Sequence, residues 1–364
     1  MKQAKVIQHG TIHRNIGSPF CYHGWPSVGR LDDGSLAAVW SGFRIAHVCP
    51  FGKTAMSISR DEGKTWCPPM IVNDTPLDDR DAGILNTGGG SALVTWFCHP
   101  REWMLNTAMP KGLKGLPAEI GALYEAYTGF YNKMSGEGSM GGSFVRISKD
   151  NGITWGETIR LPISAPHGPN ILADGSLIYL GKELFLETEN IAAYKSTDKG
   201  ATWVLLATLQ MPEGMPLNLF HEPHVAEMPD GSLLGAIRVH GDDYFSVYLT
   251  RSIDNGLTWS MPAPLIPEGS AERVCGSPPH LLVHSSGAVI CSIGRRKEPR
   301  GEHALVSYDC GYTWEEYSLR DDAPNWDLGY PASVELKDGS LLTVYYQRYG
   351  NDEVTSILYT NWTI

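Results

Sequence analysis

SRDEGKTW, residues 59–66, is the stretch that decides the fold, because its pattern returns four more times along the chain. Each copy has the form Ser-x-Asp-x-Gly-x-Thr-Trp, with every fixed letter present. The other copies are Ser148–Trp155, Ser196–Trp203, Ser252–Trp259 and Ser307–Trp314. Repetition on this scale indicates an array of similar supersecondary units, each of which packs mainly on its neighbours.

A second repeat alternates with the first and reads roughly Pro-x-x-x-x-Leu-x-Asp-Gly-Ser-Leu. Clear copies are Pro26–Leu36, Pro223–Leu233 and Pro331–Leu341, and weaker ones are Pro169–Leu177, Ala82–Leu93 and Pro279–Val289. The turn glycines are Gly34, Gly90, Gly175, Gly231, Gly287 and Gly339. Their separations are 56, 85, 56, 56 and 52 residues. The spacing predicts six units of about one length, with one insertion.

Each unit reads as four short strands joined by tight turns. The Asp-Gly and Ser-Gly pairs are hairpin signals, and β-rich segments such as Leu36–Trp40 and Leu341–Tyr346 flank them. Four strands per unit of this length are typical of a propeller blade. We therefore expect an all-β fold, a six-bladed β-propeller of four-stranded antiparallel blades. The Ser-x-Asp motif is interpreted as a structural turn, with its Trp packed between blades.

The whole chain, residues 1–364, is expected to be a single propeller domain. The insertion, about residues 100–142, falls in the second blade, and its apolar residues have helical spacing. These residues are Leu116, Ile120, Leu123, Tyr124, Tyr127, Phe130 and Tyr131. A small helix is expected there, as a cap on the blade or a lid over a pocket. The N-terminal segment Ala4–His9 alternates and is expected to supply the fourth strand that closes the last blade.

Composition narrows the partners. The net charge is −11 and basic residues are not clustered, so nucleic acid and membrane surfaces are not expected partners. Residues 1–20 contain no apolar run, which favours a cytoplasmic protein, or a secreted or periplasmic one if a leader was removed. The seven cysteines form no C-x-x-C pair, which favours reduced structural thiols. No metal site and no cofactor is expected, and the oligomeric state is left open.

The strand order predicts one shared face near the propeller axis. Residues that begin the first strand of each blade, and those that end the second, converge there. The candidates are His23, Arg44, Arg80, Asp81, His167, Glu222, Arg238, Arg295, Arg300 and Tyr330. Charged groups beside a core are usually paired or used, and gathered arginines suit a carboxylate. An organic acid is therefore the expected ligand, and Tyr330 beside Glu222 would be a phenol with its base.

The chain resembles the sialidase (neuraminidase) superfamily of six-bladed propellers with Asp-box repeats, as a divergent member. The segments that carry the resemblance are His221–Glu227 through Arg238, Gly329–Val334, Arg80–Gly83 and Arg44. The resemblance implies that Tyr330 is a nucleophile assisted by Glu222. It also implies that Asp81 touches substrate. Arg238 with Arg300, or with its rival Arg295, would bind a substrate carboxylate.

Two departures from the family pattern stand out. The family's Arg-Ile-Pro near the N-terminus is replaced by Gly24-Trp25-Pro26, so the first arginine of the carboxylate site is missing unless Arg80 substitutes. The loop Ile45–Lys53 contains no acid where the family has its acid/base Asp. His47 is the titratable residue of that loop, apart from Cys49. The proton donor is therefore left open among Asp81, His47, His23 and other histidines.

Three functions are weighed. The first is an exo-acting glycoside hydrolase that releases terminal sialic acid or a related acidic sugar from an oligosaccharide or glycoconjugate. The second is a propeller lyase or hydrolase that acts on uronic-acid ends. The third is a sugar-binding propeller without activity. Simpler roles stand beside these: Tyr330 could fill the axial channel, Glu222 could pair with Arg238, and Asp81 with Arg80.

Overall fold

The computed structural model describes residues 2–112, 117–184, 186, 189–241, 245–266, 276, 278–350 and 353–364. The first strands are β1 (Lys2–Gln3), β2 (Lys5–His13), β3 (Tyr22–Arg30), β4 (Leu36–Arg44), β5 (Lys53–Ser59), β6 (Met70–Asn73), β7 (Arg80–Gly88) and β8 (Ser91–Cys98). The next strands are β9 (Gly142–Ser148), β10 (Ile159–Leu161), β11 (Asn170–Ile171), β12 (Leu177–Lys182), β13 (Ile191–Ser196), β14 (Val204–Thr208), β15 (Phe220–Glu227), β16 (Leu233–His240), β17 (Phe245–Ser252) and β18 (Ala263–Pro264). The last strands are β19 (His280–Val283), β20 (Val289–Arg295), β21 (Gly301–Ser307), β22 (Glu315–Arg320), β23 (Gly329–Glu335), β24 (Leu341–Arg348) and β25 (Thr355–Thr363).

The strands pair with their neighbours in sequence, as a meander requires. Three four-stranded antiparallel sheets have the orders β7-β8-β9-β10, β11-β12-β13-β14 and β15-β16-β17-β18. Strands β19 to β22 form a fourth, to which β1 adds in parallel beside β22. The remaining sheet has the order β23-β24-β25-β3-β4-β5-β6, with β2 antiparallel to β25. The chain is thus an all-β propeller built mostly from antiparallel four-stranded units.

The first strands of neighbouring units contact one another, as in β3 with β7, β15 with β19 and β23 with β3. Apolar clusters fill the spaces between successive units. One of them joins Ala37, Val39 and Met56 of the β3–β6 unit to Ala82 and Val94 of the next. Such wedge-to-wedge burial stabilises the ring without a single central core.

The Asp-box turns repeat the same hydrogen bonds. In the first box, the Oγ of Ser59 donates to Asp61 Oδ1 over 2.8 Å and accepts the N–H of Gly63 over 2.9 Å. The carboxylate of Asp61 also accepts the N–H and the hydroxyl of Thr65, over 2.9 and 2.6 Å. The indole of Trp66 packs on an interblade cluster. Because the carboxylate is occupied within its own turn, the motif has a structural role.

The insertion after β8 is helical. Its elements are α1 (Arg101–Trp103), a π-helical stretch (Met104–Ala108), α2 (Met109–Gly112), α3 (Ala118–Lys133) and a short 3₁₀ helix (Glu137–Ser139); a second 3₁₀ helix covers Leu217–Leu219. Helix α3 buries Ile120, Tyr124 and Tyr131. Leu123 and Phe130 are exposed, contrary to the predicted apolar face, while Leu116 lies outside the described residues. None of the helices described has the length and apolar character of a membrane span.

Helix α3 packs on the loop that connects β4 to β5. The Phe51 ring meets the rings of Tyr124 and Tyr127 edge-on, at centroid distances of 5.5 and 4.7 Å. The Tyr131 hydroxyl donates to the carbonyl of Pro76 over 2.9 Å. The insertion is therefore a cap that supports this loop from behind.

Candidate functional site

Four non-glycine residues with left-handed backbone lie near the start of a first strand. They are Trp25 (φ 54°), Asp81 (φ 53°), Glu222 (φ 46°) and Tyr330 (φ 51°). At each of them the register of the adjoining strand shifts, as in a β-bulge. A non-glycine residue in this conformation costs on the order of 1–3 kcal/mol, and bulges re-aim side chains. The directions of the four side chains are thus set by the same local backbone conformation, a bulge with positive φ.

Glu222, Arg238 and Tyr330 are in direct contact. The Tyr330 hydroxyl donates a hydrogen bond to Glu222 Oε1. The guanidinium of Arg238 donates to Glu222 Oε2 over 2.5 Å and to the Tyr330 oxygen over 3.2 Å. Strands β15, β16 and β23 supply the three residues, so two separate units build the group. A phenol, a carboxylate and a cation share one buried cluster.

The electrostatics of this cluster keep the carboxylate ionised and the phenol protonated. Burial acts to raise the pKa of Glu222, but the charge of Arg238 and the hydrogen bond from Tyr330 outweigh it, and the pKa falls to about 2. Burial, followed by the charge of Glu222, raises the pKa of Tyr330 well above its ordinary value. The arrangement can pass the phenol proton to Glu222 as the oxygen attacks an electrophile.

Asp81 lies close enough to Glu222 for the two charges to interact. Burial raises the pKa of the Asp81 carboxyl, and the charge of Glu222 adds to that rise while Arg80 opposes it. Asp81 Oδ1 is buried and has no hydrogen-bond partner among the residues that the structure describes. An enclosed carboxyl that is easily protonated is suited to donating a hydrogen bond to a ligand.

Trp25, which follows Gly24 at the position of the missing family arginine, packs against two guanidinium groups. The guanidinium carbon Cζ of Arg80 lies 4.2 Å from the centroid of the Trp25 indole, and Cζ of Arg44 lies 4.8 Å from it. The Trp25 ring is 6.4 Å from the ring of Tyr330, nearly perpendicular to it. The indole therefore forms one wall beside the phenol.

Arg44 lies elsewhere than the sequence indicated. Its side chain is fully enclosed, as is that of Asp78, and the two form a bidentate ion pair. The Trp25 ring packs on this guanidinium, and the Arg44 side chain has no exposed surface in the structure. The sequence placed Arg44 at the second-strand end but could not tell on which side of the strand its side chain lies.

Arg295 and Arg300, the two rivals for a carboxylate-binding role, are both engaged by acids. Arg295 lies 3.5 Å from Glu316, and Arg300 pairs with Glu298 and is about one-third exposed. Arg296 is the arginine of this segment that lies over the Tyr330 ring, 6.0 Å from its centroid. Its guanidinium also donates to the carbonyl of Leu328 over 3.2 and 3.3 Å. The sequence pattern had pointed to Arg295 and Arg300 in this segment, whereas Arg296 is the residue beside Tyr330.

A second polar group surrounds His47. Nδ1 of His47 lies 2.8 Å from the Tyr22 hydroxyl and 3.1 Å from Asp327 Oδ1. Tyr22 also donates to Asp327 over 2.9 Å, as does Tyr346. The His47 ring meets Trp25 edge-on at 4.9 Å. Tyr22 and Asp327 were not among the residues predicted from sequence, and Asp327 lies in a connection outside the repeats.

The two other histidines predicted at the site, His23 and His167, lie in different environments. His23 is buried beside His13 and Trp40, and its Nδ1 accepts a hydrogen bond from the Trp40 indole over 3.3 Å. His167 is buried near the axis, 6.5 Å from the Tyr330 ring, and its Nδ1 lies 2.9 Å from the Ser27 hydroxyl. The structure thus brings His167 to the site and leaves His23 in the core.

Metal ligation has no support in the described geometry. Within the described ranges, no three His, Cys, Asp or Glu side chains are grouped as ligands of an ion would be. The six cysteines described are free thiols.

Comparison with known proteins first shows the class of protein, which is a propeller with a sialidase-like fold. A model of the BNR repeat-like domain matches residues 127–344. The chain therefore belongs to the BNR repeat-like domain family. No curated protein matches the sequence.

Solved structures share the fold at low sequence identity. A protein of unknown function from Dyadobacter fermentans has a TM-score of 0.78 at 22% identity, with 100% of each chain covered. A sialidase from Streptococcus pneumoniae has a TM-score of 0.68 at 14% identity, covering 97% of this chain and 70% of that one. An intramolecular trans-sialidase from Ruminococcus gnavus has a TM-score of 0.64 at 18% identity, covering 98% and 97%. The expectation of a divergent sialidase-like propeller, mostly of antiparallel four-stranded units with a small helix, is confirmed.

Proposed function

We propose that the protein is an exo-acting glycosidase of the sialidase type, which releases terminal sialic acid or a related acidic sugar from a glycan. The observation that carries the proposal is the contact of Tyr330 with Glu222 and Arg238. The sialidase-like fold supports the reaction class, since sialidases are the glycosidases that use a Tyr nucleophile.

In the proposed reaction the Tyr330 oxygen bonds to the anomeric carbon while its proton passes to Glu222. The bond from that carbon to the leaving oxygen breaks, and an acid of the site protonates that oxygen. A neutral phenol is repelled less by a substrate carboxylate than an Asp or Glu nucleophile would be. Water then attacks the anomeric carbon and gives a proton to the acid of the site, which lost its own in the first step. The bond to Tyr330 breaks, and Glu222 returns its proton to the phenol oxygen.

The substrate carboxylate is proposed to bind beside the Tyr330 ring. Arg238 and Arg296 flank this ring, and Arg80 approaches it from behind Trp25. The guanidinium fork suits a carboxylate. Asp81 is proposed to contact a polar substituent of the same sugar.

A complete ring of six blades is proposed as the frame of this site. The support is that the largest sheet contains two runs, β23-β24-β25-β2 and β3-β4-β5-β6, each with four strands. A single parallel pair, Thr355 with Tyr22, joins them. If these two runs are counted as two blades, the four other sheets bring the total to six, which agrees with the repeat spacing.

A second candidate function is a lyase or hydrolase that acts on uronic-acid ends. The observation that favours it is the missing first carboxylate-binding arginine of the family, since Gly24 stands at its position. A lyase leaves an unsaturated product that absorbs in the ultraviolet, whereas a hydrolase does not.

The test is release of free sugar from a panel of sialylated and uronate-capped glycans, followed by mass detection. Wild-type protein should release sialic acid, and Tyr330→Phe should lower the rate by at least about 10³-fold, because the nucleophile is gone. Tyr317→Phe is the matched control and should leave the rate unchanged, since the Tyr317 hydroxyl bonds Glu315 at the surface. Release of uronate alone would favour the second candidate, and binding without release would favour a non-catalytic propeller.

A further inference from the structure

One feature of the site is a carboxylate–imidazole pair at its mouth. His47 lies in the loop between β4 and β5, and its side chain is 40% exposed, whereas that of Asp327 is 19% exposed. The edge of Trp25 contacts the His47 ring, and the same indole lies 6.4 Å from the Tyr330 ring. His47 and Tyr330 therefore neighbour the same indole, and His47 is the more exposed of the two.

The pairing with Asp327 fixes which nitrogen of His47 faces the ligand. Nδ1 is directed at Asp327 Oδ1 and at the Tyr22 oxygen, while the Tyr22 hydroxyl proton is donated to Asp327. Nδ1 therefore carries the proton in the neutral ring. Nε2 has no hydrogen-bond partner within the described part of the chain. An imidazole whose Nδ1–H is held by a carboxylate presents Nε2 for proton transfer.

The backbone of His47 is held in place as firmly as its ring. Its carbonyl accepts hydrogen bonds from Arg44 over 3.0 Å and from Arg80 over 2.9 Å. Helix α3 supports the same loop through Phe51. Proton transfer requires a donor held within hydrogen-bond reach of the reacting oxygen, and a loop fixed on three sides meets that requirement.

The position of His47 also fits the side from which a leaving group departs. The exposed ring of Trp326 lies 6.5 Å from the His47 ring, and 60% of Trp326 is open to solvent. An exposed aromatic face at a pocket mouth suits an apolar sugar face. Asp81, the rival acid, is 6% exposed and belongs to the enclosed end of the site.

We propose that His47 is the general acid and base of this enzyme and that Asp327 is its positioning residue, which rests on the proposed function. As the bond from the anomeric carbon to the leaving oxygen breaks, the protonated imidazole of His47 gives its Nε2 proton to that oxygen and becomes neutral. In the second half, neutral His47 takes a proton from the attacking water and is ready for another cycle.

Leaving-group dependence tests the role of His47. Two substrates carry the same sugar: a sialylated lactose, whose leaving alcohol needs a proton, and a para-nitrophenyl α-sialoside, whose phenolate leaves without one. His47→Gln should lower kcat/KM on the lactose substrate by about 10²–10⁴-fold. On the aryl substrate kcat/KM should fall by less than about 10-fold. His9→Gln, at an exposed site on β2, is the matched control and should change neither rate.

A pH profile tests the role of Asp327. The groups that face the pair from the surrounding elements are Tyr22, Tyr346, Arg44 and Arg80. Burial lowers the pKa of His47 below its ordinary value, the hydrogen bond and charge of Asp327 oppose this shift, and the charges of Arg80 and Arg44 add to it. Removing the carboxylate charge in Asp327→Asn should therefore lower the pKa of the acid. The alkaline limb of activity on the lactose substrate should move to lower pH, which a merely structural role would not cause.

The outcomes separate the two proposals. No turnover of either sialoside by the wild-type protein overturns the sialidase proposal and the role of His47 with it. Turnover by the wild type, with an equal loss on both substrates or no loss in His47→Gln, overturns the role of His47 alone. An unmoved alkaline limb in Asp327→Asn overturns the positioning role.

Discussion

At the scale of single residues, one buried carboxylate holds two arginines in place behind the site. Asp78 is fully enclosed, binds Arg44 bidentately, and lies 3.6 Å from Arg80. Both guanidiniums donate to the His47 carbonyl and pack against Trp25. Their charges therefore shape the site through packing and loop position, which is a different role from the direct ligand contact that sequence suggested for Arg44.

Asp78→Asn should destabilise the protein by about 3–5 kcal/mol, because it leaves the buried charge of Arg44 without its counter-ion. The measurement is the free energy of unfolding from denaturant titration. Glu315→Gln, which breaks the exposed pair with Lys2, is the control and should cost less than about 1 kcal/mol. A loss for Asp78→Asn as small as that of the control would contradict a structural role for this ion pair.

At the scale of elements, each Asp box closes a turn between two strands by means of one carboxylate. In the last box Asp309 accepts the N–H of Thr313 over 2.8 Å, its hydroxyl over 2.6 Å, and the Ser307 hydroxyl over 2.7 Å. The hydrogen bonds from Thr313 come first among the causes that lower the pKa of Asp309 to about 2. The turn is thus most stable while this carboxylate is ionised.

Asp309→Ala should lower Tm by about 1–3 °C at neutral pH, as expected for the loss of about 1–2 kcal/mol from a chain of 364 residues. Because the folded-state pKa of Asp309 is below its unfolded value, its contribution is present above about pH 4 and is lost as pH falls toward about 2. The Tm difference between variant and wild type should therefore shrink in acid. Asp321→Ala, at an exposed position nearby, should leave Tm unchanged at both pH values.

At the scale of the whole molecule, neutral histidines lie where the units meet at the axis. The rings of His167, His224 and His280 are mutual neighbours, at centroid distances of 5.9, 5.1 and 4.6 Å. Nδ1 of His224 accepts the N–H of Leu281 over 2.9 Å, which joins two units. Burial lowers the pKa of all three, that of His224 to about 3. The centre of the ring is therefore built from imidazoles that must stay uncharged.

The free energy of unfolding should fall as pH drops from about 6.5 toward about 3. In that window the unfolded chain binds protons at these histidines and the folded chain does not, so acid favours unfolding. Each unit of lowered pKa is equivalent to about 1.4 kcal/mol. His224→Asn keeps an acceptor for Leu281 but does not titrate, so its unfolding free energy should vary less steeply with pH. An unchanged slope would contradict this account.

How far the sequence predicts this molecule depends on whether a feature repeats. The propeller and the meeting of Glu222 with Tyr330 could be predicted, since both residues precede a proline at equivalent repeat positions. Asp327 could not be placed, because it lies in a connection without a counterpart in other units. Nor could the burial of Arg44, since the side of a strand end depends on tertiary packing. The number of blades and the single-domain organisation stay predictions.

The left-handed bulges at Trp25, Asp81, Glu222 and Tyr330 separate chemistry from architecture. Each bulge leaves the ladder of its strand intact on either side, so the residue there can change in type without altering the sheet. A change of function in such a propeller needs few substitutions, because they fall on these four bulge positions. A mutant library limited to these four positions could therefore be screened for new reactions while the sheets stay unaltered.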